Sequence, residues 1–237
     1  MRRVALALVL VLAALLPLGC AGSEGQRAQE LLAQSDQALA GVKSFRLAGR
    51  MWMETPVGDF TFVLRGGGNS RNGGSSFVTM SAEDVPGFPG VTVVTRGQTA
   101  WVNVGGGWQR SELPAGTATG VEQFDFTPYV KDVDVEDGHD VGGEPAVKVS
   151  GVFDTAGLVE GVFNQLGSVP GGALPDLSES LGDTRLVIYI SETSHLPLRT
   201  LLDMSIEAEG ERIEMHMDFA LSGVNEPVKI PGPGPGA

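Results

Sequence analysis

One cysteine, Cys20, and three histidines, His139, His195 and His216, are the side chains of this 237-residue sequence most able to do covalent or proton-transfer chemistry. Cys20 closes an export pattern: Arg2 and Arg3 form a charged start, Val4 to Leu16 is an uninterrupted apolar run, and Leu18-Gly19 supplies small-residue cleavage chemistry against the thiol. That run is shorter than the ~20 residues a spanning helix needs, so it reads as a removed leader and not as a membrane span. The histidines share no motif: one lies in an acidic hairpin, one beside a turn proline and one on the polar face of the last strand. No nucleophile elbow, zinc-protease pair, Walker loop or dinucleotide fingerprint is present. Asp132, Asp134, Glu136 and Asp137 before Gly138 resemble a calcium loop, yet glycine stands at position seven and no acid closes position twelve. Val133 and Val135 alternate with those acids, which suits an edge strand with a solvated face. Gly66-Gly67-Gly68 and Gly105-Gly106-Gly107 lie between strands, not before helices, and read as hairpin turns. Trp101 and Trp108 bracket the second glycine run, where they would either stack a sugar or pack across a hairpin. The chemistry points away from an enzyme, and no metal or cofactor is expected.

A lone cysteine excludes an intramolecular disulfide, so the exported part must be held by its own core. The length suffices for one domain with a sizeable interior. The chain carries 16 Lys+Arg against 29 Asp+Glu, a net charge of −13; loss of Arg2 and Arg3 with the leader leaves 14 against 29, or −15. Such a surface repels phosphate backbones and anionic headgroups, which excludes nucleic acid as a partner and leaves no electrostatic route to a membrane.

The elements that must carry these residues are mostly strands. Gln26 to Val42 places Ala28, Leu31, Leu32, Ser35, Leu39 and Val42 on one helical face. Strands are predicted over Ser44 to Glu54, Gly58 to Arg65, Ser75 to Ser81, Gly90 to Arg96, Thr99 to Val104 and Trp108 to Ser111, then over Val133 to Val141 and Pro145 to Phe153 around Gly142-Gly143. Helices are expected at Val121 to Lys131, Thr155 to Leu166 and Pro175 to Leu181. The last third holds the cleanest alternation: Leu186, Ile188 and Ile190, then Leu202, Met204, Ile206 and Ala208, then Ile213, Met215, Met217, Phe219 and Leu221. The division expected is a leader over 1–19, a tether over 20–25, one domain over 26–230 and a disordered Pro/Gly tail over 231–237. About eleven strands result, too many to stay flat, so an α+β fold follows: a curled antiparallel half-barrel wrapped over a few helices.

The export pattern resembles the lipobox of bacterial lipoproteins, which implies cleavage after Gly19 and acylation of Cys20. Pro17 stands three residues before the cysteine, where leucine is usual, with Leu16 one step further back. The order of parts, with Val42-Lys43-Ser44-Phe45-Arg46 closing the helix and Leu196-Pro197-Leu198-Arg199 before two long strands, resembles the LppX/LprG type of actinobacterial lipoprotein. Val141-Gly142-Gly143-Glu144-Pro145-Ala146-Val147-Lys148-Val149-Ser150-Gly151 is similar to that family's hairpin of hydrophobic-Asp-Gly followed by His-Val-Ser-Gly; Gly142 replaces the Asp and Lys148 the His. The resemblance implies a LolA/LolB-like half-barrel whose concave face holds an acyl lipid or lipoglycan for transport or presentation, with an envelope transporter as a further partner. The alternative is a ligand-free sensor or scaffold module acting by protein contact.

The expected wall of the cavity is Phe60, Phe62, Leu64, Ile188, Met204, Ile206, Met215 and Met217. Flexible thioethers suit variable acyl chains, and they equally suit an irregular packed core. The loops Ala82 to Pro89 and Ser168 to Pro175 carry apolar residues that would either form a mouth or tuck beneath the loop. The expected location is the extracytoplasmic face of the cell membrane, with Cys20 as the lipid anchor. Cys20→Ser should abolish incorporation of labelled fatty acid and release the chain from membranes; failure of the unaltered chain to take up label would refute the anchor.

Overall fold

Alternating apolar and polar residues across the whole chain produce one antiparallel sheet, seen in a computed structural model that describes residues 21–69, 74–113, 130–154, 184–208 and 211–232. Its strands are β1 (Ser44–Thr55), β2 (Gly58–Asn69), β3 (Ser75–Ala82), β4 (Val91–Arg96), β5 (Thr99–Asn103), β6 (Trp108–Glu112), β7 (Val130–Val141), β8 (Glu144–Phe153), β9 (Thr184–Ser191), β10 (Pro197–Ala208) and β11 (Glu211–Ser222). The order across the sheet is β6-β5-β4-β3-β2-β1-β11-β10-β9-β8-β7. Two meanders, β1 to β6 and β7 to β11, are therefore joined by pairing of the first strand with the last, from Arg46↔Ser222 to Glu54↔Glu214. The sheet stays open between β6 and β7, which makes it a curled half-barrel.

Helix α1 (Ala21–Ala40) begins before the expected start and takes in residues 21–25, assigned from the sequence to the tether. Its buried stripe is the one read from the spacing: Ala28, Leu32, Ser35 and Leu39, continued by Val42. The helix lies across the strands on the concave side. Ala28 and Leu32 meet Val149, Leu186, Ile188, Ile190 and Leu202, whereas Leu39 and Val42 meet Phe45, Leu47, Phe219 and Leu221. Burial of each large aliphatic contributes about 1.5 to 3 kcal/mol, so this stripe is what fixes the helix to the sheet.

Three further sequence expectations change. Gly66-Gly67-Gly68 is not a turn but the end of β2, because three neighbours need the room a missing Cβ leaves. A Cβ on Gly66 would lie 2.8 Å from the Phe77 carbonyl oxygen, one on Gly68 2.8 Å from the Phe45 ring, and one on Gly67 2.8 Å from the Phe45 carbonyl oxygen and 3.1 Å from Val228. By contrast, Gly105-Gly106-Gly107 does join β5 to β6. Val130 and Lys131, expected to end a helix, instead begin β7; the rest of that helix and those at 155–166 and 175–181 lie outside the described residues. The last change is at the C-terminal side, where residues 223–232 run across the convex face. Asn225 N–H donates to the Ser44 carbonyl (2.8 Å), Arg46 donates to the Pro227 carbonyl (3.1 Å) and Arg96 to that of Pro231 (3.2 Å). Val94, fully buried although it points away from the concave side, lies beside the strap, 3.6 Å from where a Cβ on Gly232 would stand. The remaining tail residues, 233–237, lie outside the described residues.

Gly67→Ala should lower stability by roughly 1 to 3 kcal/mol, since its nearest neighbour is backbone that cannot move aside. Gly106→Ala, with nothing within 4 Å, should stay within about 0.5 kcal/mol in the same urea titration.

Candidate functional site

The strand register places all eight expected wall residues on the concave face. One cross-strand row reads Phe60, Met53, Met215, Met204, and Ile206 opposite Ile213 lies just beyond it. The adjacent row reads Ala82, Phe62, Met51, Met217, Leu202, Leu186, and the next contains Leu64, Gly49, Phe219, Thr200 and Ile188. The methionines at 51, 53, 204, 215 and 217 thus occupy two neighbouring rows, although they come from three strands. Sequence alternation marked the face but not this grouping, which only the pairing of β1 with β11 creates.

The rows differ in how they are covered. Ile188 and Leu202 are buried under α1, and Met204 and Met217 pack against the same cluster. Among the described residues, Met51, Met53 and Met215 belong to neither buried cluster and are half-buried, so the thioether surface continues past the helix toward Phe60. Phe62 is buried and receives Phe88 edge-on at 5.7 Å, with the ring planes at 69°. The loop between β3 and β4 therefore folds inward over this end of the face. Its counterpart at 168–175 lies outside the described residues, as does Cys20.

Among the described residues, the three histidines lie away from the methionine rows. His216 is on the convex side, stacked on Trp52 at 5.2 Å and hydrogen-bonded through Nδ1 to Asp203 at 2.7 Å. His139 meets Tyr189 edge-on at 5.5 Å, and His195 occupies a turn with φ 57°. Two acids of the run in β7 pair with cations. Asp137 accepts both guanidinium nitrogens of Arg27, whose hydrogen bond holds its carboxyl below the usual carboxylate range. Glu136 accepts from Lys148 Nζ at 2.8 Å and is likewise lowered, first by that hydrogen bond and then by the lysine charge. Among the described residues, no three His, Cys, Asp or Glu side chains could hold a metal ion. The acids, with shifts of pairing register in β7, fit the edge-strand reading and discourage pairing with another sheet. Trp101 lies under the Arg96 guanidinium, 5.6 Å from its ring centre, and pairs with Arg110; Trp108 pairs with Asn103.

The sequence matches no family model, and no curated protein matches it. Solved structures do share the architecture. LprF from Mycobacterium bovis overlaps 89% of this chain and 98% of its own, at 19% identity and a TM-score of 0.50. The lipoprotein LppX of Mycobacterium tuberculosis overlaps 87% and 99%, at 17% identity and a TM-score of 0.50. The fold is that of LprF and LppX. A LolA superfamily protein from Nitrosomonas europaea overlaps 81% of this chain at 12% identity with a TM-score of 0.32. The family resemblance read from the sequence is borne out at the level of fold.

Sequence reasoning missed the pairing of Arg199 with Asp218, in which Nε and Nη2 donate at 2.9 and 2.7 Å to the two carboxylate oxygens. The hydrogen bonds to Asp218 raise Arg199 above its ordinary pKa against an opposing burial effect. Charged residues alternating with Met215, Met217 and Phe219 signalled that side of β11 but not its partners. Met217→Asp should destabilise the fold by several kcal/mol, because an unpaired carboxylate would face the apolar rows. Asp218→Asn keeps a hydrogen-bonding group toward solvent and should cost about 1 kcal/mol or less, as thermal unfolding of the two variants would show.

Proposed function

We propose that this protein is an acylated envelope lipoprotein whose concave face takes up the acyl chains of a lipid or lipoglycan and carries or presents them at the extracytoplasmic side of the cell membrane. The observation that carries this reading is the pair of methionine-rich rows, continuous with Phe60 and Phe62 and extending beyond the cover of α1. An apolar surface with that extent needs protein or ligand against it. The mechanism is burial and not catalysis. Each methylene withdrawn from water contributes about 0.8 kcal/mol, so a chain of roughly sixteen carbons supplies on the order of 12 kcal/mol before ordering costs. No polar clamp is needed to hold it. Methionine adapts to chains of different length and unsaturation because its thioether rotates freely and is polarizable.

Anchoring is assigned to Cys20, since no described helix is long and apolar enough to cross a membrane and the acidic surface gives no attraction to anionic headgroups. Two or more acyl chains there would hold the protein durably, leaving the domain free to exchange ligand with an envelope transporter.

Native mass spectrometry of the protein purified from its own membranes, followed by lipid extraction, tests the reading. A bound acyl lipid is expected at about one per chain. Met215→Trp should reduce lipid recovery severalfold while thermal stability falls by less than about 1 kcal/mol, because the added ring enters ligand space past the cover of α1. Marked destabilisation with no lipid recovered from either protein would favour the scaffold alternative, in which the same face is filled by the protein itself.

A further inference from the structure

On the convex face, one row of the sheet reads Arg65, Ala48, Ala220, Arg199 across β2, β1, β11 and β10. Long side chains at the ends and methyl groups between them leave a trough. Arg50 and Asp218, facing each other in the next row, and Glu83 close its side, and the resulting hollow measures about 440 Å³. That is within the roughly 300 to 1,000 Å³ of small-molecule sites.

Its charges are unbalanced. Arg199 is engaged by Asp218, and Arg50 Nη2 lies 3.4 Å from Glu83 Oε1. Arg65 has no carboxylate partner among the described residues. Three guanidinium groups against two carboxylates leave one positive charge in a chain whose net charge is −13. The long-range field repels anions, so any anion held there is held by local fork geometry and not by general attraction. Trp52 stands outside the hollow, two rows and about 13 Å along the strands from the row of Arg65; it is 38% exposed and steadied by His216 and Asp203.

We propose that this hollow binds a saccharide carrying one phosphate or carboxylate group. Arg65 receives the anion, and the free lone pairs of Asp218 and Glu83 accept from ring hydroxyls. Asp218 and Glu83 repel a bare anion but can accept from hydroxyl groups beside it, and a neutral sugar would leave Arg65 unpaired. The site lies on the face opposite the methionine rows, so it stands or falls separately from acyl-chain binding.

Calorimetric titration of the full chain in a nonionic, sugar-free detergent tests it, with glucose 6-phosphate, glucuronate, glucose and inorganic phosphate as probes. At least one anionic sugar should bind, with glucose and inorganic phosphate weaker by about tenfold or more. Arg65→Ala and Arg65→Gln should each weaken that binding about tenfold, and Trp52→Ala, outside the hollow, and Arg110→Ala on β6 not at all. Circular dichroism must show the same sheet content in every variant; if Arg65→Ala fails that check, Arg65→Gln decides. Absence of heat with both anionic sugars at about 10 mM would overturn the proposal. So would unchanged affinity in a folded Arg65 variant, and inorganic phosphate binding as tightly as the sugars would overturn the saccharide assignment.

Discussion

Cross-strand register between β1 and β11 decides which residues share the interior, because successive side chains of a strand point to opposite faces. A slip of β1 by one residue would turn Met51 and Met53 away from Met215 and Met217 and bring Arg50 or Glu54 into the apolar rows. Steric fit opposes such a slip. Gly49 lies opposite Phe219, Gly68 opposite Phe45 and Gly67 opposite Phe77, so each aromatic ring finds a partner without a side chain. Moving β1 by one position would set Ala48 or Arg50 against Phe219, where even a Cβ on Gly49 would come within 2.6 Å of the ring. On the convex side the bidentate Arg199–Asp218 pair adds a polar lock in the same register.

What the sequence displayed and what it concealed follow from the range of the interactions. Ile213, Met215, Met217, Phe219 and Leu221 declare their face through local alternation alone, and α1 does so through the spacing of Ala28, Leu32 and Leu39. Gly66-Gly67-Gly68 misled because glycine usually interrupts strands, whereas here it permits Phe45 and Val228 to approach from opposite sides. Val130 and Lys131 looked like the end of a helix; their pairing with Phe153 and Val152 makes them strand. The strap over β1 to β4 was hidden for a related reason: its prolines and glycines carry no periodicity, and its hold comes from carbonyls that accept from Arg46 and Arg96. The hollow around Arg65 could not be read at all, since it needs four strands side by side.

The two faces divide labour by the physical forces available to them. On the concave face, stabilisation scales with apolar area and makes no demand on precise angles, which suits thioethers and phenyl rings. The convex face and the β7 edge use charged hydrogen bonds at exposed positions, where each pair adds little stability. Their value is geometric: Arg27 on Asp137 ties the start of α1 to the edge strand, and Lys148 on Glu136 ties that edge to β8. The shallow energy of these pairs leaves the hold on the sheet to the buried rows.

Placing the first strand beside the last also governs the order in which the molecule can form. β1 to β6 are neighbours along the chain and can assemble locally, as can β8 with β7 and β10 with β11, but Arg46 cannot meet Ser222 until nearly the whole sequence is available. Two half-sheets must then dock edge to edge, a step slowed by the entropy of closing so long a loop. Until it happens, β1 and β11 each present an unpaired edge beside exposed methionines, the surface most prone to mispairing between chains. A chain made from its N-terminus would spend its most vulnerable interval with the first meander complete and its central partner still to arrive.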